Sequence, residues 1–251
     1  MLKVILSGCS GKMGSVITDI ISEDNEAQIV AGVDPFFKEG LKYPVYPTFN
    51  ELPEADVIID FSNPAALDNI LEYSVKNGVA LVAATTGYTD AEVEKIKLAA
   101  KKVPVFFTFN MSLGINLLTS LVKKATAVLG DSFDIEIIEK HHNQKIDAPS
   151  GTAIMLANAV NKTLDNRMIY EYDRHSKREK RSKNEIGIHS VRGGTIVGEH
   201  EVIFAGNNEV VTLTHQAFSK NVFATGAIKA AKFLSGKKPG LYDMNDLISE
   251  K

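Results

Sequence analysis

"KVILSGCSGKMGSVITDII", residues 3 to 21, is the stretch on which the reading of the fold turns. Lys3 to Ser7 is a short β-type run. Gly8, Gly11 and Gly14 follow as G-x-x-G-x-x-G, and Met13, Val16, Ile17, Ile20 and Ile21 then recur at helical spacing on one apolar stripe. Strand, glycine loop and helix in that order suit a dinucleotide. Glycine permits a tight turn and close backbone approach, and the helix N-terminus offers N–H groups to a pyrophosphate. Ser10 replaces the middle glycine of the usual G-x-G-x-x-G, and Gly11 follows it. Asp34 closes the next β-type run, Gln28 to Val33, twenty residues past Gly14. It suits the ribose hydroxyls of NAD, and also a turn before Pro35.

Working outward, "ADVIIDFS" (55–62) and "VALVAATTG" (79–87) are continuous apolar runs of the kind buried on both faces of a sheet. Asn63-Pro64 starts a helix that stops near Gly78, and Thr89 to Glu92 forms a capping box for another. "VPVFFTF" returns to strand. Strands alternating with helices imply right-handed crossovers and a Rossmann-like, doubly wound parallel sheet. "TTG" (85–87) ends a strand at the edge where such sheets bind ligands, and also reads as a turn.

The rhythm changes after about Asn110. A helix pattern covers 115–129, "FDIEIIEKHH" is a strand, and a helix follows from about Gly151 to Thr163. Three β-like runs between 186 and 216 suggest an open sheet with antiparallel pairing. "NVFATGAIKAAKFLSG" is a final helix stopping at Gly236. The organisation expected is a dinucleotide-binding domain, 1–112 with 222–251, and an inserted α+β domain with an open mixed sheet, 113–221.

The 251 residues carry a net charge of -3, which gives no reason to expect a nucleic-acid partner. The basic run "RHSKREKRSK" (174–183) sits among Glu171, Asp173, Glu179 and Glu185 and reads as a solvated loop. One cysteine, Cys9, excludes an intramolecular disulfide and fits a reducing compartment. The opening apolar run, Val4 to Leu6, is too short for a signal-peptide core, and no run approaches membrane-spanning length. The protein is expected in the cytoplasm, with no membrane partner.

"EKHHNQKIDAPSGTA" (139–153) places two histidines, a lysine and a helix start together. On a strand, His141 and His142 point to opposite sides, so they do not chelate one metal, and no metal is expected. His141 and Lys145 can donate protons, and His142 can hydrogen-bond an anion. Ser150-Gly151-Thr152 places N–H groups at a helix N-terminus, as a carboxylate cradle, a simple cap, or both. The segment suggests a site for an anionic substrate that must receive a proton.

That segment resembles the E-x-H-H-x-x-K-x-D-A-P-S-G-T-A signature of the 4-hydroxy-tetrahydrodipicolinate (dihydrodipicolinate) reductase family of lysine and diaminopimelate biosynthesis. "GCSGKMG", "IDFSNP", "TTG", "FNMSLGIN", "SVRGGTIVGEHEV" and "GLYDM" are similar to further family segments, so the likeness spans nearly the whole chain. The resemblance implies His141 as the catalytic acid/base, Lys145 as proton donor, and His142, Ser150, Gly151 and Thr152 around the substrate carboxylates. It places Gly8, Cys9, Ser10, Gly11, Lys12, Met13, Asp34, Thr85, Thr86, Gly87, Thr108, Phe109, Asn110 and Met111 along the cofactor. It also implies a homotetramer built through the second domain's sheet.

Lys12 stands where the family commonly has Arg, and Thr108-Phe109 replace smaller residues. Hydride from NADH or NADPH would reach C4 of a cyclic imine diacid, with C3 then protonated. Asp34 argues for NADH, while Lys12 and Lys38 could reach a 2′-phosphate, so use of both is expected with NADH modestly preferred. Cys9 reads as a small loop residue. The alternatives are another two-domain NAD(P)-dependent reductase of an amino-acid-derived acid, or a dinucleotide sensor, which would have no need of His141 and Lys145.

Overall fold

A computed structural model describes residues 1–37 and 40–249. Lys38 lies outside the described residues. The chain divides into two compact units: Met1–Leu113 with Asn221–Lys251, and Gly114–Lys220.

The first unit contains β1 (Leu2–Ser7), α1 (Lys12–Ser22), β2 (Ala27–Val33), β3 (Val45–Tyr46), β4 (Val57–Asp60), α2 (Leu67–Asn77), β5 (Ala80–Ala83), α3 (Asp90–Ala100) and β6 (Pro104–Phe107). Among the described residues its sheet has seven strands, all parallel. The order is that of a dinucleotide-binding fold, β3-β2-β1-β4-β5-β6, with a last strand from the chain's C-terminal part beyond β6. The apolar runs are continuous because both faces are covered. Val4 and Leu6 of β1 face one core that includes Ile17 and Ile21 of α1. Ile5 faces the other, with Ile70 of α2 and Ile96 of α3. Local signals set the helix ends. Asn63 accepts from the Ala65 amide, Thr89 and Glu92 form the capping box, and Gly78 closes α2 in the left-handed region at φ +68.

The second unit follows with α4 (Leu113–Leu129), β7 (Asp134–His141), α5 (Gly151–Thr163), β8 (Ile169–Glu171), β9 (Glu185–Arg192), β10 (Gly198–Ala205) and β11 (Val210–Ala217). Its described residues form a five-stranded mixed sheet, β11-β10-β7-β9-β8. β10 is antiparallel to β7 and β11, whereas β9 is parallel to β7 and β8. The sheet is mixed, as expected, because the chain returns through α5 before laying down β8 and β9. α4 and α5 bury Ile115, Leu118, Val122, Leu156 and Val160 against alternate residues of β7, β9 and β10. The chain then rejoins the first unit with α6 (Asn221–Leu234), β12 (Gly240–Tyr242) and α7 (Met244–Ser249).

Candidate active site

In the first unit, β1 is the strand where the chain order reverses, between β2 and β4. The glycine loop follows it. Gly8 has φ +77, and a Cβ there would lie 2.6 Å from the Phe61 carbonyl oxygen. A Cβ on Gly14 would lie 2.4 Å from the carbonyl oxygens of Gly8 and Cys9. No side chain fits at either place, so the loop backbone closes tightly onto α1, whose N-cap is Gly11. Cys9 turns its side chain into the core against Gly32, and burial pushes its thiol up. Only its backbone belongs to the loop surface. Lys12 is exposed, and Met13 packs on the core.

The Asp34 carboxylate accepts from the Ser10 amide at 3.1 Å and the Phe36 amide at 2.9 Å. It therefore braces the glycine loop and also starts a turn. Asp60, fully buried at the end of β4, accepts from Ser62 Oγ (2.5 Å), Thr85 Oγ1 (2.7 Å) and the Tyr88 hydroxyl (3.2 Å). Thr85 is thereby locked inward, and burial beside Asp60 pushes the Tyr88 phenol up. Thr86 and Gly87 remain at the surface. Past β6, the Thr108 hydroxyl donates to the Asn110 carbonyl at 3.3 Å, and Asn110 Oδ1 accepts from the Ser112 amide at 2.8 Å. Phe109 is exposed, its ring 5.3 Å from that of Phe107. Met111 turns its side chain into the core.

In the second unit, the period of two along β7 puts Glu139 and His141 on one face, both buried. Arg192 of β9 lies beside His141 in register, and His200 of β10 is paired with Glu139. Glu139 Oε2 is 2.5 Å from His141 Nδ1 and 2.8 Å from Arg192 Nη1; Oε1 is 2.7 Å from Arg192 Nη2 and accepts from the Ser150 amide at 3.1 Å. Burial pushes the Glu139 carboxyl up, but Arg192, Ser190, His141 and the Ser150 amide outweigh it and hold it at about 2. Burial pushes His141 down, and Glu139 only partly offsets this against Lys145 and Arg192. The balance favours the neutral imidazole. His142 lies just past the strand, half-buried. The Lys145 ammonium pairs with Asp147 at 2.9 Å, in a turn whose Lys145 amide donates to the His142 carbonyl.

Ser150 is the N-cap of α5. Its hydroxyl accepts from the Ala153 amide at 3.1 Å and lies 2.9 Å from His200 Nε2. Its amide donates to Glu139, and the residue is buried. Gly151 and Thr152 open the helix, with no acidic residue in the first turn and open space beyond Gly151.

Sequence reading missed Glu139, Arg192, His200 and Asp60 as functional groups. The available signal was the two-residue step from Glu139 to His141 on a strand. The other partners lie on separate strands. Among the described residues, no group of three or more His, Cys, Asp or Glu is placed to hold a metal ion, and no helix is long and apolar enough to cross a membrane. The basic loop is folded back on acids. Arg181 binds Glu136 and Asp134, each at 2.9 Å, while Arg174 pairs with Glu185 and Lys177 with Glu171.

Comparison with known proteins bears on both units. The family descriptions "Dihydrodipicolinate reductase, N-terminus" and "Dihydrodipicolinate reductase, C-terminus" match residues 2–111 and 114–248. The 4-hydroxy-tetrahydrodipicolinate reductase of Caldanaerobacter subterraneus subsp. tengcongensis is 53% identical, covering 100% of this chain and 99% of that one. That of Clostridium novyi is 51% identical, with 100% of each chain covered. A solved structure described as dipicolinate-bound dihydrodipicolinate reductase from Paenisporosarcina sp. TG-14 superposes with TM-score 0.82 at 25% identity, covering 98% of this chain and 99% of that one. With both domains matched end to end, and half the residues shared with relatives of full length, the chain belongs to the 4-hydroxy-tetrahydrodipicolinate reductase family.

Proposed function

We propose that the chain reduces 4-hydroxy-tetrahydrodipicolinate to tetrahydrodipicolinate with NAD(P)H, in lysine and diaminopimelate biosynthesis, and that His141 and Lys145 carry its proton chemistry. The observation that carries this is the meeting, past one end of β7, of an imidazole, an ammonium and a helix N-terminus. These are the groups a dianionic substrate awaiting a proton requires. The first unit fits the cofactor because the space at Gly8 and Gly14 admits no Cβ, which lets loop backbone approach a pyrophosphate. Gly8 to Met13, Asp34, Thr85 to Gly87 and Thr108 to Met111 would hold it, Cys9 and Met111 through backbone alone. When bound, the nicotinamide supplies the hydride.

The chain's residues do the rest. Gly151, Thr152 and His142 bind the two carboxylates. Loss of the C4 hydroxyl as water gives the conjugated cyclic imine that takes the hydride at C4, and Lys145 leaves Asp147 to offset the substrate charge and to protonate C3 of the enamine that results. His141 exchanges protons at Nε2 as the acid/base. We read the protein as using both cofactors with NADH modestly preferred, and as a cytoplasmic homotetramer assembled through the second unit's sheet.

The test couples the purified protein to a synthase that makes the unstable substrate, and follows loss of nicotinamide absorbance. His141→Ala and Lys145→Ala should each lower kcat by at least about 100-fold with NADH binding nearly unchanged. Near-normal kcat in both variants rejects the assignment. Pyridine-2,6-dicarboxylate, the dianion of dipicolinic acid named in the Paenisporosarcina structure, should inhibit competitively against the diacid substrate. Purely noncompetitive inhibition would move the diacid site elsewhere.

A further inference from the structure

We propose that Glu139 and Arg192 are a positioning pair that holds His141 in a single tautomer, with Nδ1–H turned to Glu139 and Nε2 presented for proton exchange. The inference rests on the reading of His141 as the acid/base group and adds the device that makes it one.

A carboxylate only accepts hydrogen bonds, so at a 2.5 Å separation the hydrogen between Glu139 and the neutral imidazole belongs to Nδ1. Glu139 cannot turn away. It is fully buried, and both of its oxygens are held in a two-point fork by Arg192, at 2.8 and 2.7 Å, with the Ser150 amide fixing one of them further. Arg192 is anchored in turn. Its guanidinium donates to the Asp147 carbonyl at 2.6 Å and to the Val191 carbonyl at 2.8 Å. Asp147 is also the partner of Lys145, so one arginine ties the imidazole's support to the turn that carries the ammonium.

No side chain from position 198 crowds the far side of the ring. Position 198 is glycine, where a Cβ would stand 3.2 Å from His141 Nε2. The ring of His200 packs edge-on at 5.1 Å between centroids, with its own Nε2 turned to Ser150. Burial holds His200 at about 3, so it stays neutral and adds no cation against the ring. The charged groups that act on His141 are thus Glu139, Arg192 and Lys145. Two are cations, and Glu139 alone favours the imidazolium. A buried ion pair of this kind is weak support for stability, since apolar residues of similar volume often do as well. Its geometry is directed at the imidazole.

The test is long-range proton–nitrogen correlation on the full-length protein with 15N-labelled histidine, without substrate. The wild type should show neutral His141 predominantly as the Nδ1–H tautomer. Glu139→Gln should lose that preference and move the His141 midpoint to lower pH. Its kcat should drop by about 10- to 100-fold, the size of effect seen for partners that orient metal-binding histidines, with KM little changed. Glu139→Asp, which keeps the charge but shortens the reach, should hold the midpoint closer to wild type. An Nε2–H tautomer in the wild type overturns the proposal without any variant. So does a folded Glu139→Gln protein with unchanged tautomer and pH profile. Because these readouts need no turnover, they can fail while His141→Ala still abolishes activity, and the reverse.

Discussion

Asp34 serves two partners with one carboxylate. It steadies the glycine loop through the Ser10 amide, and each oxygen keeps a lone pair that a ribose hydroxyl can use. A 2′-phosphate would meet a negative charge, and exposed Lys12 opposes that only as a point charge. kcat/KM should therefore favour NADH by about 1–2 kcal/mol, or about five- to thirty-fold. Asp34→Ser should narrow or reverse the ratio, and should also raise KM for both cofactors because the loop loses a brace. Measuring both cofactors at one ionic strength decides it. A strong wild-type preference for NADPH, or an unchanged ratio in the variant, would take Asp34 off the ribose. Residues 8 to 14 and Asp34 were legible as a cofactor pattern because their spacing is local. The bond from Ser10 to Asp34 spans 24 positions and was not.

At the scale of elements, β7 and β10 write pH dependence into the fold. Burial lowers His200 from 6.5 to about 3, so below pH 6.5 the unfolded chain binds a proton that the folded chain refuses. Stability should fall as pH drops from 6.5 towards 3. Glu139 acts lower down. Its charge contributes stability that is fully present above 4.5 and is lost as pH falls to about 2, at most about 3 kcal/mol. Urea midpoints at pH 7, 5.5 and 4.5 should decline in order, and a folded His200→Gln variant should flatten that slope. A flat wild-type profile would mean His200 is not kept neutral. The long helices and buried strands were readable from periodicity and caps. β3, β8 and β12 were not, because two or three residues become strand only when a neighbour pairs with them. The support around His141 was hidden for a similar reason: Arg192 is 53 positions from Glu139, brought alongside by a parallel pairing that no local pattern announces.

At the scale of the molecule, alternate residues of the five-stranded sheet turn away from α4 and α5. Ile138 and Ile203 are half-buried there, and Val191 and Val210 are 44% and 61% exposed. Such a face suits the tetramer proposed above, and Ile203→Lys should shift light-scattering mass towards smaller species with the fold intact. A monomeric wild type would refute it. The division of the chain has its own outcome during synthesis. α6 supplies Ala224, Ala227, Ala230, Ala231 and Leu234 to the core that Val4, Leu6, Ile59 and Val82 need covered. The ribosome releases that helix only after residues 114–220, which form a continuous unit of their own. The usual order, N-terminal domain first, is therefore inverted. The inserted unit is the first able to finish, while the nascent glycine-loop sheet waits with one oily face bare. A chain stopped at Lys220 should give a protease-resistant second unit beside a first unit that binds hydrophobic dye.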